Sequence, residues 1–153
     1  VADVAFYHLE RSSLDQVLPK LLEKTLALDK RALVLAPSNA RVDELNALLW
    51  SYQPESWMPH ASYKDKVEDN ALSLQPVWLS VEDNNANNAE FLFLTDGARS
   101  RQMDSFERCF DLFDGNDQTV VEKARERWKH YQGEGHTLTY WQQDLNGAWQ
   151  KKQ

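Results

Sequence analysis

Short apolar runs alternate along the chain with longer amphipathic stretches, and that alternation sets the expected elements. Ala5-Phe6-Tyr7-His8-Leu9 reads as a first strand, continuous enough to be central in a sheet. Ser13 with Gln16 makes a capping-box pattern, and Leu14, Val17, Leu18, Leu21, Leu22, Thr25 and Leu28 follow at helical spacing. Pro19 falls inside that span, either at the first position of the main helix or as a kink in its opening turn. Ala32-Leu33-Val34-Leu35-Ala36 is wholly apolar and suits burial on both faces. Pro37-Ser38-Asn39 breaks it and caps a helix through Val42, Leu45, Leu48 and Leu49 to Trp50. Two β–α units in succession predict a parallel sheet with helices on its faces.

Residues 56–60 read as a short edge strand, because Pro59 cannot donate to a ladder. Residues 62–75 are mostly polar and read as an exposed loop. Residues 77–81 and 91–94 are two further strands, and the Asn-rich span 82–90 between them is expected as a mobile hairpin or surface loop. Asp96-Gly97 turns the chain, residues 106–113 form another strand, and Leu138-Thr139-Tyr140-Trp141 is a closing strand or a packed tail. With no repeat or internal boundary, residues 1–153 are expected to be one α/β domain. Its mostly parallel sheet flanked by helices is Rossmann-like, without nucleotide motifs.

The strongest helical pattern covers residues 119–131. Thr119 with Glu122 reads as its capping box, and Gly133 stands where a left-handed C-cap residue is wanted. At roughly 100° per residue, Val120, Val121, Ala124, Trp128 and Tyr131 share one stripe, with Arg125 and Lys129 beside it next to Trp128. Glu122 and Glu126 lie further round, and Lys123, Arg127 and His130 close the circle. A plain amphipathic cover for the sheet accounts for this pattern, with Glu122–Arg125 and Glu126–Lys129 pairs on its outer face. The sharper reading is a docking site for a short acidic or carboxylate-ended peptide, with arginine gripping oxygens beside an apolar slot.

Charge and composition narrow the functions. The formal net charge is -7, from 24 acidic against 17 basic residues, which disfavours direct nucleic-acid binding. The chain has no apolar run of about 18 residues and no signal-peptide pattern, so the expectation is a cytoplasmic protein that spans no membrane. One cysteine, Cys109, cannot form an internal disulfide and sits in an apolar strand as a small buried hydrophobe. The glycines stand at 97, 115, 133, 135 and 147, and no G-x-G-x-x-G, Walker-type loop or G-x-S-x-G elbow is present. His8, His60, His130 and His136 lack metal-ligand spacing, and His8 reads as a hydrogen-bonded core residue. No cofactor is expected, and the acid pairs Asp114/Asp117 and Glu122/Glu126 read as capping and helix-surface residues. Most of the six tryptophans are expected in the core, with Trp57-Met58-Pro59 the candidate for an exposed apolar patch.

Several markers together resemble the chi subunit family of bacterial DNA polymerase III holoenzyme. They are Phe6-Tyr7, Leu48-Leu49-Trp50, Glu55-Ser56-Trp57-Met58-Pro59-His60 and Ala124-Arg125-Glu126-Arg127-Trp128-Lys129, with Leu138-Thr139-Tyr140-Trp141 fitting longer members. The resemblance runs nearly end to end and is weakest over 62–75 and 82–90. It implies an α/β fold without nucleotide chemistry, a non-catalytic subunit, and a 1:1 complex with the psi subunit, which tethers chi to the clamp loader. It also implies binding of the acidic, phenylalanine-ended tail of single-stranded-DNA-binding protein. Carried over residue by residue, the tail site uses Arg125, Trp128 and Lys129, with Arg127 and Lys123 as weaker candidates. The psi surface includes Trp57, with Trp50, Met58 and Pro59. Two other readings stand beside this one: a nucleotide-dependent enzyme of Rossmann-like architecture, and a direct single-strand binder stacking bases on Trp128 and Tyr131.

Overall fold

A computed structural model describes residues 2–52, 59–65, 69–72 and 74–153 of the chain. The strands are β1 (Asp3–Leu9), β2 (Ala32–Leu35), β3 (Ala61–Ser62), β4 (Val77–Ser80), β5 (Phe91–Thr95), β6 (Arg108–Asp114), β7 (Thr137–Gln143) and β8 (Trp149–Lys151). The helices are α1 (Leu14–Ala27), α2 (Asn39–Ser51), the single turn α3 (Asp69–Leu72) and α4 (Gln118–Gly133). One eight-stranded sheet takes the order β3-β4-β2-β5-β6-β1-β7-β8. Neighbours are parallel throughout except β7 and β8, which form an antiparallel pair. This is the expected α/β architecture.

Burial follows the layering. β2 and β5 lie inside the sheet with helices or loops on both faces, and every residue of each is buried. On one face Leu18 and Leu22 of α1 and Val42, Leu45 and Leu49 of α2 pack against Val34, Leu79, Phe93 and Leu112. On the other, Val121, Ala124 and Tyr131 of α4 pack against Val4, Phe6, Leu94, Cys109 and Phe113. Side chains alternate between these cores along β1 and β6, so Asp111 points to the α4 face between Cys109 and Phe113.

Local signals decide the helix ends. The Ser13 N–H donates to Gln16 Oε1 at 2.9 Å, and Ser38 Oγ accepts from the Arg41 N–H at 3.2 Å. Pro19 lies neither at a first position nor outside the helix: it is buried within α1. α4 corrects the capping expectation, because Asp117, not Thr119, is its N-cap, accepting from the N–H groups of Thr119 at 3.0 Å and Val120 at 3.4 Å. At the other end Gly135, with φ +87°, takes the left-handed position expected of Gly133.

One further expectation is narrowed and two change. Of the two alternatives for residues 82–90, the chain forms a loop and not a hairpin, since β4 and β5 flank β2 in parallel and the chain must run back between them. Asn87 pins that return, donating to the carbonyls of Ala32 at 3.0 Å and Gln75 at 2.9 Å. Residues 56–58 of the expected edge strand fall outside the described residues, and the edge is formed by Ala61–Ser62. Among the described tryptophans Trp50 is exposed while Trp78, Trp128, Trp141 and Trp149 are half-buried, so none is fully core.

Candidate functional site

Asp111 organises the α4 face. Burial of a carboxylate in an apolar strand demands a counter-charge, and Arg127 supplies it, donating from Nε at 2.7 Å and Nη2 at 2.9 Å. Both side chains are buried. Arg127 therefore does not close the solvent face of the helix, as its charge suggested, but lies on the core side with its fork occupied. Desolvation alone would make this guanidinium easier to deprotonate, and the Asp111 carboxylate outweighs that effect and holds it charged.

With Arg127 turned inward, the remaining cations of α4 divide between two flanks. Trp128 is half-buried on the β7 side, its ring edge-on to Phe6 at 5.2 Å and to Tyr140 at 5.7 Å between centroids. Arg125 and Lys129 are exposed and make no ion pair or side-chain hydrogen bond among the described residues. Arg125 is close enough to Tyr140 for its charge to stabilise the phenolate, against the burial that raises the phenol's pKa. Tyr140 is held from behind: its hydroxyl lies 2.5 Å from His8 Nδ1, and His8 Nε2 is 2.9 Å from Glu10. Gln142 Nε2 also donates to Glu10, at 2.6 Å. His8 is thus the hydrogen-bonded core residue expected of it. Together Trp128 and Tyr140 form a shelf with Arg125 at its mouth.

Lys123 belongs to the opposite flank. With Arg99, Arg101 and His130 it lines a cleft of about 1110 Å³ between α4 and the chain following β5. The sequence-based set for the tail therefore separates into a group on one flank (Arg125, Trp128, Lys129), one buried member (Arg127) and one member across the helix (Lys123).

At the far edge of the sheet, Trp50 ends α2 with 55% of its surface exposed and its ring 4.7 Å from that of His60. Pro59 beside it is half-buried, whereas Trp57 and Met58 lie outside the described residues.

In the crevice after β1, where open α/β sheets commonly receive phosphates, a cavity of about 520 Å³ remains, but the loop amides are satisfied from within. The N–H groups of Glu10, Arg11 and Ser12 all donate to Gln143 Oε1, at 3.3, 3.0 and 3.1 Å. Gln143 Nε2 donates in turn to Ser12 Oγ and the Gly147 carbonyl, each at 3.1 Å. Glu10, Asp15, Asp96 and Asp114 line that crevice with Arg11 and Arg41, and Arg41 is paired with Asp15 and Asp96. Among the described residues no three His, Cys, Asp or Glu side chains group to hold a metal ion, and no helix is long and apolar enough to cross a membrane.

Sequence reasoning missed Asp111 and Tyr140. A lone acid inside Cys109-Phe110-Asp111-Leu112-Phe113 was the available signal, since it requires an internal cation.

The family of the DNA polymerase III chi subunit, HolC, matches residues 1–139. A probable DNA polymerase III subunit chi of Rickettsia prowazekii (strain Madrid E) is 22% identical over 157 residues, covering 96% of this chain and 90% of that protein. With the family matched over residues 1–139, the chain belongs to the DNA polymerase III chi subunit family.

Proposed function

We propose that this accessory subunit of DNA polymerase III is a non-catalytic adaptor between single-stranded-DNA-binding protein and the clamp loader. The α4 flank takes the acidic, phenylalanine-ended tail of the single-stranded-DNA-binding protein. The psi subunit docks at the end of α2 and holds the complex on the clamp loader. The observation that carries the tail reading is the position of Arg125: an exposed guanidinium without an ion pair or hydrogen-bond partner among the described residues, beside the edge-on rings of Trp128 and Tyr140. A guanidinium grips a terminal carboxylate through paired hydrogen bonds, and an aromatic shelf beside it takes an apolar terminal side chain. Lys129 adds a second charge for upstream acids. For psi, the support is the large exposed surface of Trp50 against His60, which follows Trp57, Met58 and Pro59 in the sequence.

Calorimetric titration with the tail peptide, and with a version lacking its last phenylalanine, tests the reading. The full peptide binds and the shortened one does not; equal affinity for the two leaves α4 as a solvated cover for the sheet. Trp57→Ala is expected to weaken a 1:1 complex with psi by about 2 kcal/mol while tail binding survives. No nucleotide is expected to raise the melting temperature, since the amides after β1 are engaged by Gln143 and Arg41 in that crevice is engaged by Asp15 and Asp96.

A further inference from the structure

The sheet face opposite α4 is only partly roofed. Eight strands at about 4.8 Å spacing span about 34 Å, whereas two helices side by side cover about 20 Å. α1 lies over β2 and β6 and α2 over β3 and β4, which leaves β1, β7 and β8 without a helix on that side. Register places Tyr7 opposite Trp141, Trp141 opposite Lys151 and Gln143 opposite Trp149, so these side chains share the open face.

The open face is aromatic. Tyr7 and Trp141 stand in near-parallel planes with centroids 6.2 Å apart, and Trp149 meets Tyr7 at 4.9 Å and 74°. Two depressions share Tyr7 and Trp141: one of about 300 Å³ reaching Arg108, and one of about 680 Å³ walled by Lys20, Leu21 and Lys24 of α1. In a chain of net charge -7, the rim carries Lys20, Lys24, Arg108 and Lys151, and none of these makes an ion pair among the described residues. The carboxylates beside it are Asp3 and Glu23, and Glu23 already accepts from the Tyr52 hydroxyl.

We infer that this groove docks an acidic amphipathic helix of a partner protein, which supplies the missing third helix of the layer. Its apolar stripe lies on Tyr7, Trp141 and Trp149, and its flanking carboxylates face Lys20, Lys24 and Lys151. The groove runs the length of β7, about 23 Å, which matches about 15 residues of helix. Bases of a single strand need free ring faces, and these rings pack on one another instead. Trp141, Trp149 and Lys151 lie beyond the residues matched by the family, and the groove is on the sheet face opposite the α4 flank.

The test uses a synthetic helical peptide of about 15 residues, with leucines at i, i+3, i+4 and i+7 and glutamates on both flanks. Its controls are the same peptide with lysine flanks and an oligothymidylate, each titrated by calorimetry. The glutamate peptide is expected to saturate the protein and to bind about tenfold or more tightly than the lysine peptide. Charge reversal at two exposed positions, Lys20→Glu with Lys24→Glu, inverts that preference, and Trp141→Ala weakens glutamate-peptide binding about tenfold with native circular dichroism. Arg125→Ala leaves this affinity unchanged. Absent or equal binding of the two peptides, no response to the charge reversal, loss of binding in Arg125→Ala, or displacement by oligothymidylate overturns the inference.

Discussion

Arg127 donates to both oxygens of Asp111, and the pair is sealed between α4 and β6. Removing one partner leaves an uncompensated charge in an apolar layer, which costs about 3–5 kcal/mol. Arg127→Met and Asp111→Leu should each lower the urea midpoint strongly. Their combination should restore most of the loss, because two apolar side chains of similar bulk need no counter-charge. Additive losses in the double variant would show that the pair contributes packing rather than mutual neutralisation.

The two flanks of α4 should respond differently to the tail peptide. Arg125→Ala is expected to cost about 1.5–3 kcal/mol, because a hydrogen-bonded charge beside the Trp128 shelf is lost. Lys129→Ala should cost less, since an ammonium lacks the paired geometry and this one is solvated. Lys123→Ala should change nothing, as it faces the cleft across the helix. Affinity should fall with added salt. Peptide titrations at two ionic strengths rank the three variants.

Gly115 is required by His8. A Cβ at position 115 would lie 1.9 Å from His8 Cδ2 and 2.2 Å from Nε2, while the Gly115 N–H holds the Leu9 carbonyl at 2.7 Å. Gly115→Ala should destabilise the fold by about 1–3 kcal/mol through overpacking. Adding His8→Ala should relieve the clash, so the double variant loses less than the sum of the singles. Thermal melts of the three proteins check this.

Burial, reinforced by Asp104 and Asp3, pushes the Cys109 thiol up to about 12 from 9.0. At pH 8 only about one such thiol in ten thousand is ionised, so thiol reagents should label it only after unfolding. The folded value lies above the unfolded one, so its stabilising contribution is whole below pH 9 and is lost as pH rises toward 12. That contribution is at most about 4 kcal/mol, and Tyr7, Tyr131 and Tyr140 shift in the same direction. Urea midpoints should fall steadily above pH 9, and less steeply in Cys109→Ala.

Much of the fold was legible in the chain because period and end signals agreed. Ala32-Leu33-Val34-Leu35 can only be a doubly covered strand, and Ser38 before Asn39 starts a helix on local hydrogen bonding alone. β8 was not legible: three residues with a single apolar side chain carry no period, and their pairing depends on β7. Arg127 was misplaced because a charge was taken to mark the wet side of α4. The residue that draws it inward lies 16 positions earlier on another element. Trp141 and Trp149 defeated the expectation for a related reason: aromatic content predicts burial only when helices are available to cover every strand, and their face runs short of them.

Gln143 gives the crevice after β1 a further consequence. Its side-chain amide is tethered, so it meets the three backbone N–H groups at an effective concentration that a free anion in solution must outcompete. The backbone geometry that in other α/β proteins recruits a diffusible ligand is here satisfied by a side chain of β7. The same amide ties the loop after β1 to the turn of the β7–β8 hairpin through Ser12 and Gly147, so substitution of Gln143 would free the amides and loosen the hairpin together.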